Sequence, residues 1–213
     1  MKTFFKFTVC LIILTMTFTG CSNDEDKIPD ISGLLTGDVL FGVKTGKITY
    51  KYTFWYEEGS SSYNETVFFD DNGKRMRVET EDAVIIYDGS AEKIYTLSPS
   101  EKVYTESVFY SGMNAMYIFL GDEANSAWSR YPGFSKKANK TIAGKTCSVY
   151  AWTDIEDGET VEWGGWNRIT FWWQSFKDAP ETDDSMRIEA TSFAESIPAG
   201  SFTVPSDYTK VAY

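Results

Sequence analysis

From Gly46 to Tyr56 apolar residues fall at every second position: Ile48, Tyr50, Tyr52, Phe54 and Tyr56, with Lys47, Thr49, Lys51 and Thr53 between them. Side chains of an extended chain point alternately to opposite faces, so this stretch reads as a long antiparallel strand buried on one face. The pattern recurs downstream. Glu65–Phe69 and Lys74–Glu79 flank Asp70-Asp71-Asn72-Gly73, whose Asn-Gly pair tolerates the positive φ of a tight turn. Ala83–Tyr87, Glu92–Leu97 and Lys102–Phe109 follow, separated by Asp88-Gly89-Ser90 and Ser98-Pro99-Ser100. A strand and turn about every ten residues predicts an up-and-down antiparallel sheet.

The period then changes. Met113, Met116, Tyr117 and Leu120 stand at helical spacing between Ser111, a suitable N-cap, and Gly121. This predicts a short helix laid on the sheet, with a further turn within Glu123–Tyr131. Lys136-Lys137-Ala138-Asn139 reads as a loop, after which strands resume at Ala143–Thr153, Glu159–Gly164, Trp166–Trp173 and Met186–Phe193. Ile197-Pro198 and Phe202-Thr203-Val204-Pro205 read as a capping tail.

Composition narrows the chemistry. The 213 residues carry 20 Lys plus Arg against 31 Asp plus Glu, a net charge of −11, which argues against nucleic acid as a partner. There is no histidine, which removes Ser–His–Asp and Cys–His catalysis and any His-ligated metal. No metal and no cofactor is expected.

The N-terminus reads as an address. Lys2 and Lys6 precede an apolar run from Val9 to Phe18, too short to span a bilayer as a helix. Phe18-Thr19-Gly20-Cys21 resembles the bacterial lipobox, which implies cleavage after Gly20 and acylation of Cys21. Loss of Lys2 and Lys6 with residues 1–20 would take the net charge from −11 to −13. Ser22-Asn23-Asp24-Glu25-Asp26 looks like the export tag of Bacteroidetes surface lipoproteins, and it also reads as an acidic linker. Residues 1–20 are thus a signal peptide, 21–40 a lipidated acidic tether and 41–213 one β domain. Cys10 leaves with the signal and Cys21 is lipidated, so Cys147 has no partner in its chain.

The order of lipobox, Gly46-Lys47-Ile48-Thr49-Tyr50, Phe69-Asp70-Asp71-Asn72-Gly73-Lys74-Arg75-Met76-Arg77, Ile85-Ile86-Tyr87-Asp88-Gly89 and Ile142-Ala143-Gly144-Lys145-Thr146-Cys147 carries a resemblance. With the closing Ile197-Pro198 and Pro205, it resembles uncharacterised Bacteroidetes lipoproteins of the LolA/LolB-like lipoprotein-carrier superfamily. The resemblance implies a mainly β, curved antiparallel half-barrel, an incomplete up-and-down barrel, with one or two short helices covering its concave side. It also implies a lipid or other hydrophobic ligand in the half-barrel, and it carries over no catalytic residue.

The candidate ligand-facing residues are Tyr50, Tyr52, Phe54, Ile169 and Phe171 on the sheet, with Met113 and Met116 above them. Five of the seven tryptophans fall between Trp152 and Trp173, and Trp166 and Trp172 share the face opposite Ile169 and Phe171. Either Trp172 stacks on a ligand or partner, or a segment of the chain covers it. Asp70/Asp71, Asp154/Glu156/Asp157 and Asp183/Asp184 sit in turn contexts, which Asp favours for its own hydrogen bonding. Cys147 reads as a buried small hydrophobe. Asp184-Ser185-Met186 resembles a Bacteroidetes O-glycosylation signal, making Ser185 a candidate acceptor.

The expectation is a monomeric, non-enzymatic lipoprotein of the cell envelope, anchored to the outer membrane through its acyl chains and binding a lipid or hydrophobic molecule. The rival readings are a cell-surface glycan-binding or protein-interaction module, and a hydrolase built on two carboxylates.

Overall fold

The computed structural model describes residues 40–108, 115–120, 129, 131–155 and 157–212. Six strands, β1 (Gly46–Tyr56), β2 (Gly59–Asp70), β3 (Arg75–Glu79), β4 (Val84–Asp88), β5 (Lys93–Ser98) and β6 (Val103–Val108), form one antiparallel meander. A second comprises β7 (Ser135–Ile142), β8 (Lys145–Thr153), β9 (Thr160–Trp166), β10 (Ile169–Phe176) and β11 (Met186–Ala194). The two join where β11 pairs with β1, setting Ala190 opposite Tyr50 and Ile188 opposite Tyr52. β12 (Thr209–Lys210) adds in parallel to β6, so one curved sheet results, open and not closed into a barrel.

Local chemistry sets the turns. Asn72 and Gly73 take φ of 56° and 91°, and the Asn72 side chain donates to the Phe41 carbonyl at 3.0 Å. The backbone joins in, with Phe41 N donating to Asn72 O and Asn72 N to Lys44 O, both at 2.9 Å. This turn thereby holds the fully buried Phe41 edge-on to Phe69, with ring centroids 4.7 Å apart. A Cβ on Gly73 would meet the Phe41 ring at 2.9 Å, so a side chain there is excluded by space as well as by φ.

β6 and β7 lie near opposite ends of the strand order, and of the chain between them residues 115–120 cross the inner face of the sheet. Of the helix expected over 111–120, the described residues 115–120 form a single 3-10 turn, Ala115–Tyr117, followed by non-helical residues 118–120. Ile118 bridges to Ile169, and Phe119 N donates to Arg168 O at 2.9 Å. The reason is burial on two sides. Ile118 and Leu120 pack into the main core, and Phe119 between them packs with Tyr131, Tyr150, Trp152 and Val161. A helix with one apolar stripe could not serve both clusters. Ser111, Met113 and Gly121 lie outside the described residues.

Two further segments differ from expectation. Lys136–Asn139 belongs to edge strand β7, not to a loop; it pairs on one side with β8, and its lysines face solvent. Trp166 ends β9, because Asn167 and Arg168 take φ of 48° and 61° and turn the chain into β10.

The outer face has its own cover. Phe202, Val204 and Tyr208 pack on Val84, Ile86 and Leu97, while Arg77 donates to the Ser201 carbonyl at 3.1 Å. The tail that the sequence marks as a cap is this strap across β3 to β6.

Candidate functional site

The inner face is a wall of aromatic and aliphatic side chains supplied by period-two alternation. Tyr50 and Tyr52 are 1% exposed, and Ile169 and Phe171 are fully buried. Phe54 and Met116 are partly buried against the same cluster. Tyr52 stacks on Tyr63 with ring planes 5° apart, and Phe54 continues the stack at 6.1 Å. What covers the wall is the chain's own Tyr117, Ile118 and Leu120.

A buried acid lies at the heart of this packing. Glu65 stands opposite Tyr50 in the β1–β2 register, 5% exposed. Tyr52 Oη and Tyr117 Oη both donate to Glu65 Oε1 at 2.8 Å, so one carboxylate oxygen ties the sheet to the crossing segment. Burial pushes the Glu65 carboxyl up to about 7, and the two tyrosine hydrogen bonds offset part of that rise. Burial, and next the Glu65 charge, holds the phenols of Tyr50, Tyr52 and Tyr117 well above their usual range. The Tyr50 hydroxyl is spent on the Thr170 carbonyl at 2.7 Å. Reading the sequence for ligand-facing residues passes over Glu65, although an acid two residues before Val67 and four before Phe69 on one strand face was the available signal.

Tyr117→Phe removes one of the two donors to a buried carboxylate. The expected cost is about 1–3 kcal/mol at pH 8, falling at pH 5 where the acid is protonated. Urea unfolding at the two pH values checks this; equal losses at both would mean that the bond to Glu65 is not what Tyr117 contributes.

Trp166, paired with Ile169, packs at the margin of this wall, and Trp172 joins the same cluster from the neighbouring position of β10. Trp172 is 8% exposed, and among the described residues two cations lie against its ring. Lys140 Nζ from β7 sits 4.0 Å from its ring centroid, and the Arg187 guanidinium from β11 sits 4.9 Å away. These cations are themselves held, Lys140 by Glu162 at 2.9 Å and Arg187 by Glu181 at 2.8 Å. A sugar could stack on Trp172 only after both had moved. Trp166 lies under Lys145 at 4.2 Å and edge-on to Phe171 and Phe193.

Two open hollows flank the packed wall. One of about 420 Å³ is lined by Tyr56, Glu57, Glu58, Gly59, Ser60 and Ser61 at the β1–β2 hairpin. Another, about 190 Å³, is bordered by Phe119, Leu120, Thr146, Ser148, Trp166 and Arg168.

Ser185 is 4% exposed and its hydroxyl donates to the Thr182 carbonyl at 2.6 Å, so a glycan there requires that turn to open. Cys147 is fully buried, and burial pushes its thiol up to about 11, away from nucleophilic use. Asp157 and Asp183 accept from nearby backbone amides, and Asp70 pairs with Arg75. Among the described residues, no three Asp, Glu, His or Cys side chains group as a metal site. Gly20 and Cys21 lie outside the described residues.

The fold thus defines a class, an open antiparallel half-barrel covered by its own crossing segment. No protein-family model matches the chain, and no curated protein does. Solved structures similar to it include an uncharacterised conserved protein from Thermus thermophilus, 7% identical with a TM-score of 0.49, covering 85% of this chain and 96% of that one. The Pseudomonas aeruginosa MucA/MucB complex is 12% identical with a TM-score of 0.42, over 79% of this chain and 58% of that one. A LolA superfamily protein from Nitrosomonas europaea is 12% identical with a TM-score of 0.34, over 83% and 98%.

Proposed function

We propose that this chain is a non-enzymatic binding protein of the bacterial envelope, anchored through acylated Cys21, whose inner aromatic face takes an acyl chain or similar apolar ligand. One observation carries this reading. The wall formed by Tyr50, Tyr52, Ile169 and Phe171 is covered by residues 115–120, whose regular structure among the described residues is one 3-10 turn and one isolated bridge. A few directional bonds fix that cover: Tyr117 to Glu65, Phe119 N to Arg168 O, and the Ile118–Ile169 bridge. An apolar ligand that displaces it exchanges one hydrophobic contact for another, at about 25 cal/mol per Å² on each side, so the exchange lies near balance.

The test uses an anthroyloxy-labelled stearate added to protein that lacks residues 1–21. Saturable one-to-one binding is expected, with competition by unlabelled fatty acid. Absence of saturable binding overturns the ligand assignment. Incorporation of labelled palmitate that disappears in Cys21→Ala checks the anchor separately.

A further inference from the structure

β2 is longer than its neighbour on the outer side. It pairs with β1 along its whole length from Gly59, whereas β3 joins it only from Thr66. Gly59, Ser60, Ser61 and Ser62 are exposed, and among the described residues no second strand lies along them. Alternate residues of such a strand turn their N–H and C=O groups away from β1, a ready template for another strand. β1 is held from behind by β11 as far as Phe54 opposite Met186, and by Trp55 N donating to Ser185 O at 3.0 Å. The template is therefore backed by β1 and β11 and does not hang free.

The sheet guards its other margins. β7 carries Lys136, Lys137 and Lys140, and β12 is two residues long and includes Lys210. Such lysines and short strands discourage edge pairing. Residues 59–62, Gly-Ser-Ser-Ser, carry no charge and no proline.

Two more features say what would fit. Ser61 lies opposite Phe54, a small side chain beside a half-buried ring that stacks on Tyr63 of the same strand as Ser61. At the hairpin tip, the hollow of about 420 Å³ is rimmed by Glu57, Glu58 and a 53% exposed Tyr56. Two carboxylates and an aromatic ring suit a long cationic side chain.

We propose that residues 59–62 are a strand-addition site for an extended segment of a partner protein, with apolar side chains at alternate positions and Lys or Arg beside the hairpin tip. The site is separate from the inner face, and it stands whether or not an apolar ligand binds there.

The test titrates the full-length protein, in mild detergent, into a fluorescein-labelled octapeptide alternating Val and Thr behind one Arg. Fluorescence anisotropy is expected to saturate, with amides of residues 59–62 gaining protection from hydrogen exchange. Glu57→Lys combined with Glu58→Lys, both on an exposed turn, is expected to weaken binding tenfold or more. One of Ser61→Pro and Ser62→Pro strikes an amide facing away from β1, and that variant should lose binding while keeping the wild-type melting temperature. A flat titration to 1 mM overturns the proposal, as does an affinity that the charge reversal and both prolines leave unchanged. Sedimentation showing a dimer that those prolines dissolve would also overturn it, because the strand would then serve a second copy of this chain.

Discussion

Gly165→Ala is expected to break the contact between the crossing segment and the sheet, at a cost of about 3 kcal/mol or more. An alanine Cβ at this position would lie 2.5 Å from Phe119 Cβ, and closer still to Phe119 Cγ and the Ile169 carbonyl oxygen. The oxygen belongs to the backbone of β10 at its first residue and cannot rotate aside. Phe119 is pinned in turn by its amide bond to Arg168 O and by packing edge-on to Trp163, 5.0 Å between ring centroids. Relief must come from a shift of the Ile169 backbone together with movement of residues 118–120 off the inner face. The urea midpoint should fall, the Phe119 amide should lose its protection, and an apolar dye should bind more strongly than to wild type. A variant with wild-type stability and protection would show that Phe119 does not sit against Gly165.

Stability should fall as pH rises from about 4.5 to about 7, by about 3 kcal/mol through Glu65 alone. Burial makes folded Glu65 a weaker acid than unfolded Glu65. Unfolded, Glu65 releases its proton near 4.5; folded, it keeps it to about 7, so in this window the native state binds the extra proton. The stabilising contribution is complete below 4.5 and is lost once pH passes 7. Glu106 acts in the opposite sense at lower pH, since Lys93 first and Lys210 next hold its carboxyl below the usual range. Its exposed position makes that effect small beside the buried acid. Urea unfolding from pH 4.5 to 8.5 should slope downward for wild type and lie nearly flat for Glu65→Gln, which can still accept from Tyr52 and Tyr117. A wild-type profile that rises across this range would sink the assignment.

Strand positions were legible wherever period-two alternation met a turn signal. β1, β3, β4, β5 and β11 fall within a residue or two of their expected ranges. Elsewhere tertiary context overrides the local pattern. The first half of β2 is Gly-Ser-Ser-Ser, with little intrinsic strand preference; pairing with β1 imposes the conformation. β7 looked like a loop because an edge strand shows its polar residues to water on more than one side. Helical spacing at Met116, Tyr117 and Leu120 was real in the sequence, but two separate clusters claim alternate residues of 118–120, and tertiary packing prevailed. The inner wall of Tyr50, Tyr52, Ile169 and Phe171 could be picked out by face. Its cover and the Glu65 bonds could not, since Tyr117 and Glu65 are 52 residues apart in sequence. Nor does one sequence show that long cations from β7 and β11 would shield Trp172.

The pairing of β1 with β11 also sets an order of events during folding. Tyr50 and Ala190, which face each other across that seam, are 140 residues apart in sequence, while every other join in the first meander is a short hairpin. The strands β1 to β6 can therefore zip together while later residues are still being delivered, leaving one flank of β1 waiting for almost the last strand made. Closing so long a loop carries little extra entropy but makes for slow folding. Lys47, Lys51 and Thr53 along β1 keep that waiting flank soluble, so the alternation that builds the aromatic wall on one side protects the half-made molecule on the other.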